Sequence, residues 1–303
     1  MRRGWMRQSG LIATVCMGAS GRGAFGGEVA DWPRLIENSN PWAPATAALR
    51  FRVAPGECSL SASGAMSEAE LDALRAVAPA GAVVVDTRQE SHGLLNGRAV
   101  SWWAPANAAN AGRSLAEIEA DEEARLAWLR ARRGQVVTAH RLIKHPEGAP
   151  TLVPVPVRVE RVESEAEAAA RYGFAYWRLP MQDHTGHPEP AVVEALVARH
   201  LGPAPPVWMH FHCQAGKGRA SLYMALADLL GRCGSITLEA LVAEHAAAGS
   251  VDLLRTADRG PRRDKYAARV AFLWDFDRYC RQGAPRRGEA WSAWRAVHGA
   301  IAR

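Results

Sequence analysis

Residues 207–221 read Val-Trp-Met-His-Phe-His-Cys-Gln-Ala-Gly-Lys-Gly-Arg-Ala-Ser, an apolar run that empties into a glycine-bearing loop. Val207, Trp208, Met209 and Phe211 have the make-up of an inner strand of an α/β sheet, brief, apolar and stopped by glycine. Beyond Ser221, Leu222, Ala225, Leu226, Leu229 and Leu230 recur at helical spacing, so the order is strand, loop, helix. Cys213 then stands at the carboxyl end of a strand, where open α/β sheets bind ligands. Gly216 and Gly218 let the loop turn its amides inward as an anion nest at a helix N-terminus. Arg219 adds a planar fork suited to two-point contact with a phosphate. The helix N-terminus, the guanidinium and the neighbouring His212 all favour a thiolate at Cys213, so the loop has the parts to hold a phosphate and attack it.

The rest of the chain supplies the framework such a loop needs. At 303 residues, 48% apolar and 22% charged, the chain has ample length for a packed core. Ser67 to Ala78 reads as a helix opened by a capping box of Ser67 and Glu70, with Leu71 and Leu74 inward, and Gly81 ends it. Ala82-Val-Val-Val85 is a second buried parallel strand. The segment 86–93 that follows, Asp-Thr-Arg-Gln-Glu-Ser-His-Gly, is too polar for core. Ser114 to Arg132 is a helix with Leu115, Ile118, Leu126 and Leu129 inward. Residues 176–179 form a strand that delivers 180–185 to the same sheet edge, and helices follow over 164–172, 190–200, 237–248 and 264–280, with an amphipathic tail at 290–303.

These elements predict an α/β architecture, a central, mostly parallel sheet flanked by helices. Residues 135–163 change character, with alternating apolar positions interrupted by prolines, and read as edge strands of a small inserted β subdomain. The expected organisation is a leader over 1–30, a first half over 31–134 with an irregular lead-in to about residue 60, the β segment 135–163, and a second half over 164–303 carrying the loop.

The net charge of +6 suits an acidic partner, and no nucleic-acid motif points to DNA or RNA. Only three of the 37 basic residues are lysines, and Lys217 sits inside the loop. Five widely spaced cysteines (16, 58, 213, 233 and 280) make no paired or metal-like pattern, so neither a disulfide framework nor a metal is expected. Arg2, Arg3 and Arg7 precede a short apolar stretch. Residues 1–30 therefore read as an export signal, giving a periplasmic or secreted protein, or as an irregular leader of a cytoplasmic one. No run is long enough for stable membrane insertion, and the oligomeric state is left open.

A thiolate attacking a phosphate ester requires an acid for the leaving alkoxide. Asp183, at the end of a neighbouring strand between Pro180 and Gly186, is the best candidate. His184 would steady it or touch a phosphate. Arg88 could clamp a peripheral phosphate, Asp86 could brace Arg219, and Glu90, Ser91 and His92 would hydrogen-bond behind them.

Cys213, Gly216 and Arg219 fit His-Cys-x-x-Gly-x-x-Arg, which resembles the signature of cysteine-dependent phosphatases. Together with 86–97 (Asp-Thr-Arg-Gln-Glu-Ser-His-Gly-Leu-Leu-Asn-Gly), Ala99-Val-Ser-Trp102 and Gln182-Asp-His-Thr185, the motif resembles the bacterial tyrosine-phosphatase-like inositol polyphosphatases, or cysteine phytases, over most of residues 50–280. The resemblance implies a cysteine-phosphatase fold, stepwise removal of phosphates from myo-inositol hexakisphosphate without metal or cofactor, and export. It implies Cys213 as nucleophile, Arg219 as binder of the transferred phosphoryl group and Asp183 as general acid. The loop residues His212, Gln214, Ala215, Gly216, Lys217 and Gly218 would line the phosphate, with His184 and Arg88 on the substrate. It also implies a basic segment after the loop helix, here Arg255, Arg259, Arg262, Arg263 and Lys265. The family carries Thr or Ser directly after the loop arginine, where its hydroxyl bonds the thiolate, but this chain has Ala220 there and Ser221 one later. That departure keeps an inositol-phosphate-binding pseudophosphatase in view beside the enzyme. A protein-phosphotyrosine phosphatase is the third reading.

Overall fold

The computed structural model describes residues 33–38, 48–56, 59–145, 149–256, 260 and 262–299. The leader 1–30 and Arg259 lie outside the described residues. The strands are β1 (Arg34–Glu37), β2 (Arg52–Val53), β3 (Leu60–Ser63), β4 (Val83–Arg88), β5 (His92–Leu95), β6 (Arg98–Trp103), β7 (Val136–Ile143), β8 (Thr151–Arg158), β9 (Val162–Glu163), β10 (Ala175–Met181) and β11 (Met209–His212). The helices are α1 (Glu68–Val77), α2 (Leu115–Arg130), α3 (Glu165–Arg171), α4 (Pro190–Leu201), α5 (Gly218–Arg232), α6 (Leu238–Ala247), α7 (Arg263–Arg281) and α8 (Trp291–His298). Ser67, Ser114 and Ser164 each close a capping box at the start of α1, α2 and α3, so a local hydrogen-bond exchange fixes where each helix begins.

The two sheets divide the work. The five-stranded sheet runs β10-β4-β11-β3-β2; β10, β4, β11 and β3 are mutually parallel and β2 is antiparallel. Successive side chains of a strand face opposite sides, and β4 shows this plainly. Val83 and Val85 join Phe211, Met209 and the α5 residues Leu222 and Leu226 in the main core, whereas Ala82 and Val84 pack against Leu71, Leu74 and Ala168 of α1 and α3. α5 is buried along nearly its whole length, which is why its apolar residues exceed one stripe. Val207, expected inside, is 59% exposed, because β11 begins only at Met209.

The second sheet runs β8-β7-β1-β6-β5-β9, and its core is Leu35, Leu95, Val100, Trp102, Val137, Ala139 and Val159 with Leu126 and Leu129 of α2. The expected β segment 135–163 is thus part of a larger sheet that also recruits β1, β5 and β6. Segment 92–103 joins that sheet despite its polar residues, because Asn96, Arg98 and Ser101 find partners sixty or so residues away in Arg158, Glu37 and Asn38. Leu115, expected inward, is the exposed first residue of α2. Among the described residues no helix is long and apolar enough to cross a membrane.

Candidate active site

The carboxyl ends of β3, β4, β10 and β11 meet at one edge of the parallel sheet. Cys213 leaves β11 there, 3% exposed, and the loop turns back at Gly216, whose φ is +64°. An added Cβ at Gly216 would stand 2.7 Å from Gly64 N and 2.9 Å from Ser63 C, so only glycine lets the loop rest on the end of β3. The loop carbonyls are pinned from outside: Arg50 Nη1 donates to Ala215 O (3.1 Å) and Arg52 Nη1 to Gly216 O (2.9 Å). The amides of 214–217 have no partner among the described residues, an arrangement that suits an anion.

Arg219, 4% exposed, is gripped by both oxygens of Glu90, at 2.7 Å and 2.9 Å, and donates to Met181 O at 3.3 Å. Its Nη2 is 3.6 Å from Asp183 Oδ2. Asp183 sits after β10, and Asn107 joins it to the loop by donating to Asp183 Oδ2 (3.0 Å) and Gln214 Oε1 (2.7 Å). Burial pushes the Asp183 carboxyl up, but Arg219 and His184 more than offset this and hold it below the usual carboxylate range. A phosphate dianion placed against Arg219 would reverse that balance, because added negative charge favours the protonated acid. His184 adopts φ +70°, and its Nδ1 lies 3.2 Å from Lys265 Nζ on α7. Burial pushes both His184 and Lys265 toward their neutral forms. Gly186, at φ +98°, packs so closely that a Cβ would stand 2.8 Å from Lys265 O, which seats the acid loop on α7.

Several expected residues fall elsewhere. His212 alternates away from Cys213 and points to the opposite face of the sheet, where its Nε2 meets Glu165 (3.1 Å) and Asp86 (3.7 Å), fully buried; it neither touches substrate nor flanks the thiol. Asp86 does not brace Arg219: it accepts from Arg88 N (2.8 Å) and Tyr176 OH (2.9 Å) and pairs with Arg178 (3.2 Å). Glu90 braces Arg219 instead. Arg88 is 0% exposed with its Nε on Glu90 (3.0 Å), so it clamps no peripheral phosphate. The whole segment 86–92 except Gln89 is buried, against the expectation from its polarity, because its charges pair internally. Arg255 is exposed and no side-chain contact of it reaches the loop; its carbonyl accepts from Arg269 Nη2 at 3.1 Å. Lys217 is exposed beside the loop, and Gly218 opens α5.

Behind the loop lies a buried ionic network. His92 Nε2 is 3.0 Å from Glu165 and 3.3 Å from Asp86, its backbone N donates to Glu122 (2.9 Å), and Arg178 Nη1 is 2.9 Å from Glu122. Burial and Arg88 push His92 down, yet Glu165, Asp86 and Glu122 outweigh them and raise it to about 10. Asp86, Glu165 and His212 lie close enough to share a metal ion. Arg178 and the raised His92 place cations against the same carboxylates.

Sequence reasoning passed over Arg50, Arg52, Asn107, Glu165 and Arg178. Arg50 and Arg52 carried a usable signal, two arginines at strand period in the otherwise apolar stretch 49–53. A cavity of about 250 Å³ opens beside the loop, lined by Asn38, Arg50, Arg141, Lys144, Gln214 and Ala215.

A family model described as inositol hexakisphosphate, the tyrosine-phosphatase-like phytases, matches residues 85–231. Effector protein hopD2 of Pseudomonas syringae pv. tomato is 29% identical over 219 residues, 70% of this chain and 46% of the relative. The tandemly repeated protein tyrosine phosphatase-like phytase of Mitsuokella multacida superposes with a TM-score of 0.75 at 24% identity, covering 92% of this chain and 50% of that one. A PTP-like phytase of Bdellovibrio bacteriovorus superposes at 0.70 with 25% identity, over 89% of this chain and 98% of that one. The chain thus spans about half the length of hopD2 and of the tandem phytase. Residues 85–231, which carry Asp183, Cys213 and Arg219, match the phytase family model, and the fold is shared over 89% of this chain and 98% of the Bdellovibrio protein, so the chain is similar to the protein-tyrosine-phosphatase-like phytases.

Proposed function

We propose that this chain is a phosphomonoesterase that hydrolyses myo-inositol polyphosphates through a cysteinyl-phosphate intermediate, without a metal. The observation that carries the reading is the convergence on Arg219, held by Glu90 at 2.7 Å and 2.9 Å, of the Cys213 loop on one side and Asp183 at 3.6 Å on the other. In the first step Cys213 Sγ attacks phosphorus, the ester P–O bond breaks, and Asp183 gives its proton to the leaving alkoxide. The loop amides and Arg219 hold the equatorial oxygens as charge spreads over them. In the second, water attacks the phosphocysteine, Asp183 takes its proton, and phosphate leaves with the sulfur restored as thiolate.

The substrate class follows from charge around the loop. Lys217, Lys265, Arg50, and Arg141 and Lys144 in the 250 Å³ cavity offer cations where a singly phosphorylated ligand has nothing to place. A related Mitsuokella multacida PTP-like myo-inositol phosphatase, 24% identical, is known in complex with myo-inositol-(1,3,4,5)-tetrakisphosphate, which supports the same class here.

The test is release of phosphate from phytate in the presence of a chelator, beside a phosphotyrosyl peptide at matched concentration. Phytate should be the better substrate and Cys213→Ser inactive. Equal or better turnover of the peptide favours the phosphotyrosine reading. Phytate binding with no burst of phosphate favours the pseudophosphatase reading that Ala220 motivates.

A further inference from the structure

Arg52 stands apart from the other buried arginines of the site. Arg88, Arg178 and Arg219 each face a carboxylate of Glu90, Asp86 or Glu122. Arg52, 5% exposed, donates only to neutral oxygens: Nε to Ser250 Oγ (2.8 Å), Nη1 to Gly216 O (2.9 Å) and Arg50 O (3.1 Å), and Nη2 to Ser221 Oγ (2.8 Å). Among the described residues no carboxylate pairs with it. A cation buried without an anion is costly, and unlike Arg269, which is equally buried on carbonyls of 252–255, Arg52 lies against the loop that carries a thiol.

Burial draws Arg52 down to about 10, Arg50 adds to this, and the charge of Cys213 works the other way. Two of the four acceptors, Gly216 O and Ser221 Oγ, belong to the loop and to the first turn of α5, so the guanidinium is bonded to the same segment that carries the sulfur. Ser221 Oγ also accepts from Val251 N (3.3 Å), which ties this hydroxyl to Arg52 and Val251. Ala220 is a fully buried methyl.

We propose that Arg52, bonded to the carbonyl side of the loop at Gly216 O, is the counter-charge of the Cys213 thiolate. The inference rests on the reading of Cys213 as nucleophile. It also rests on the pairing of a bare Ala220 with a buried guanidinium that no carboxylate pairs among the described residues.

The experiment is alkylation of the full chain by iodoacetamide across pH in phosphate-free buffer, read on the peptide containing Cys213, since Cys233 is also partly exposed. Arg52→Gln keeps hydrogen-bonding capacity and removes the charge, and the pH of half-maximal alkylation should rise by about one unit, a tenfold change. Arg52→Lys should stay close to the parent, which a loss of packing alone would not rescue. An unchanged midpoint in Arg52→Gln, or an equal shift in Arg52→Lys, overturns the proposal. Where Arg52→Gln shows no cooperative melt, Ser250→Ala decides: it removes one bond to Arg52 and leaves the charge, so an unmoved midpoint supports the proposal and a one-unit rise overturns it. Alkylation needs no phosphate substrate, so a parent chain that releases no phosphate yet shows these shifts would refute the phosphatase reading and leave the pairing standing.

Discussion

Glu90 holds Arg219 with both carboxylate oxygens, 2.7 Å from Nη1 and 2.9 Å from Nη2, while Oε1 also accepts from Arg88 Nε at 3.0 Å. One buried carboxylate thus orients two buried guanidinium groups, only one of which faces the phosphate site. Burial pushes Glu90 up, and Arg219 and Arg88 pull it back well below the usual carboxylate range. Glu90→Gln leaves two cations sharing a neutral partner. Breaking a buried pair in this way should destabilise the chain by about 3–5 kcal/mol, and misplacing Arg219 should lower kcat/KM by about a hundredfold; melts and phosphate-release kinetics check the two separately. Because the folded carboxyl is depressed, its stabilisation is complete above the unfolded value of about 4.3 and is lost as pH falls below it. The parent should therefore lose more stability between about pH 4 and 2 than Glu90→Gln does.

His92 has the opposite sign. Raised to about 10 in the folded chain against about 6.5 unfolded, it contributes stability that is fully present below about pH 6.5 and lost as pH climbs toward 10. The melting temperature of the parent should fall between pH 6.5 and 10 by more than that of His92→Gln, which starts lower. Parallel curves for the two chains would show that the network of Glu165, Asp86 and Glu122 does not keep His92 charged.

What could be read in advance, and what could not, divides along sequence distance. The strand-loop-helix within 207–221 and the capping box of Ser67 and Glu70 rest on neighbours within a few residues, and periodicity or a motif exposes them. Segment 86–92 reads as too polar for core because polarity is a local property whereas satisfaction is not: Asp86 pairs with Arg178 and accepts from Tyr176, and the His92 ring pairs with Glu165 and Glu122, partners thirty or more residues away. His212, expected among the phosphate-lining residues from the His-Cys motif, lies on the face of β11 opposite Phe211, as alternation along the strand requires. Asn107 has no signature at all, since its role is to join Asp183 to Gln214 across two loops.

Gly216→Ala should abolish anion binding. Its φ of +64° is strained for any side chain, and the new Cβ would meet backbone atoms, Gly64 N at 2.7 Å and Ser63 C at 2.9 Å, which cannot rotate away. The loop must lift from β3, so protection of Cys213 from alkylation by vanadate or phosphate should vanish. Gly218→Ala meets nothing within 4 Å and has an ordinary φ, and its melting temperature should match the parent's; a matching loss there would show that loop flexibility, not the seat on β3, is what Gly216 provides.

Asp183→Asn tests the proton. The side chain is held by Asn107 at 3.0 Å and faces Arg219 at 3.6 Å, contacts that an amide of the same shape largely keeps, so the fold and substrate binding should survive. What goes is the acid for the leaving alkoxide, a contribution of about 10²–10⁴-fold. The loss should appear in kcat on phytate, whose inositol alkoxide is a poor leaving group, and be far smaller on an aryl phosphate, whose phenolate leaves without help. In the parent the rate on phytate should fall as pH rises past the point where the acid, raised by the bound phosphate's charge, gives up its proton. That alkaline limb should be absent from Asp183→Asn. An equal loss on both substrates would assign Asp183 to holding Arg219 in place, with the leaving group protonated by another donor, of which His184, 3.6 Å from the same oxygen, is the nearest titratable candidate.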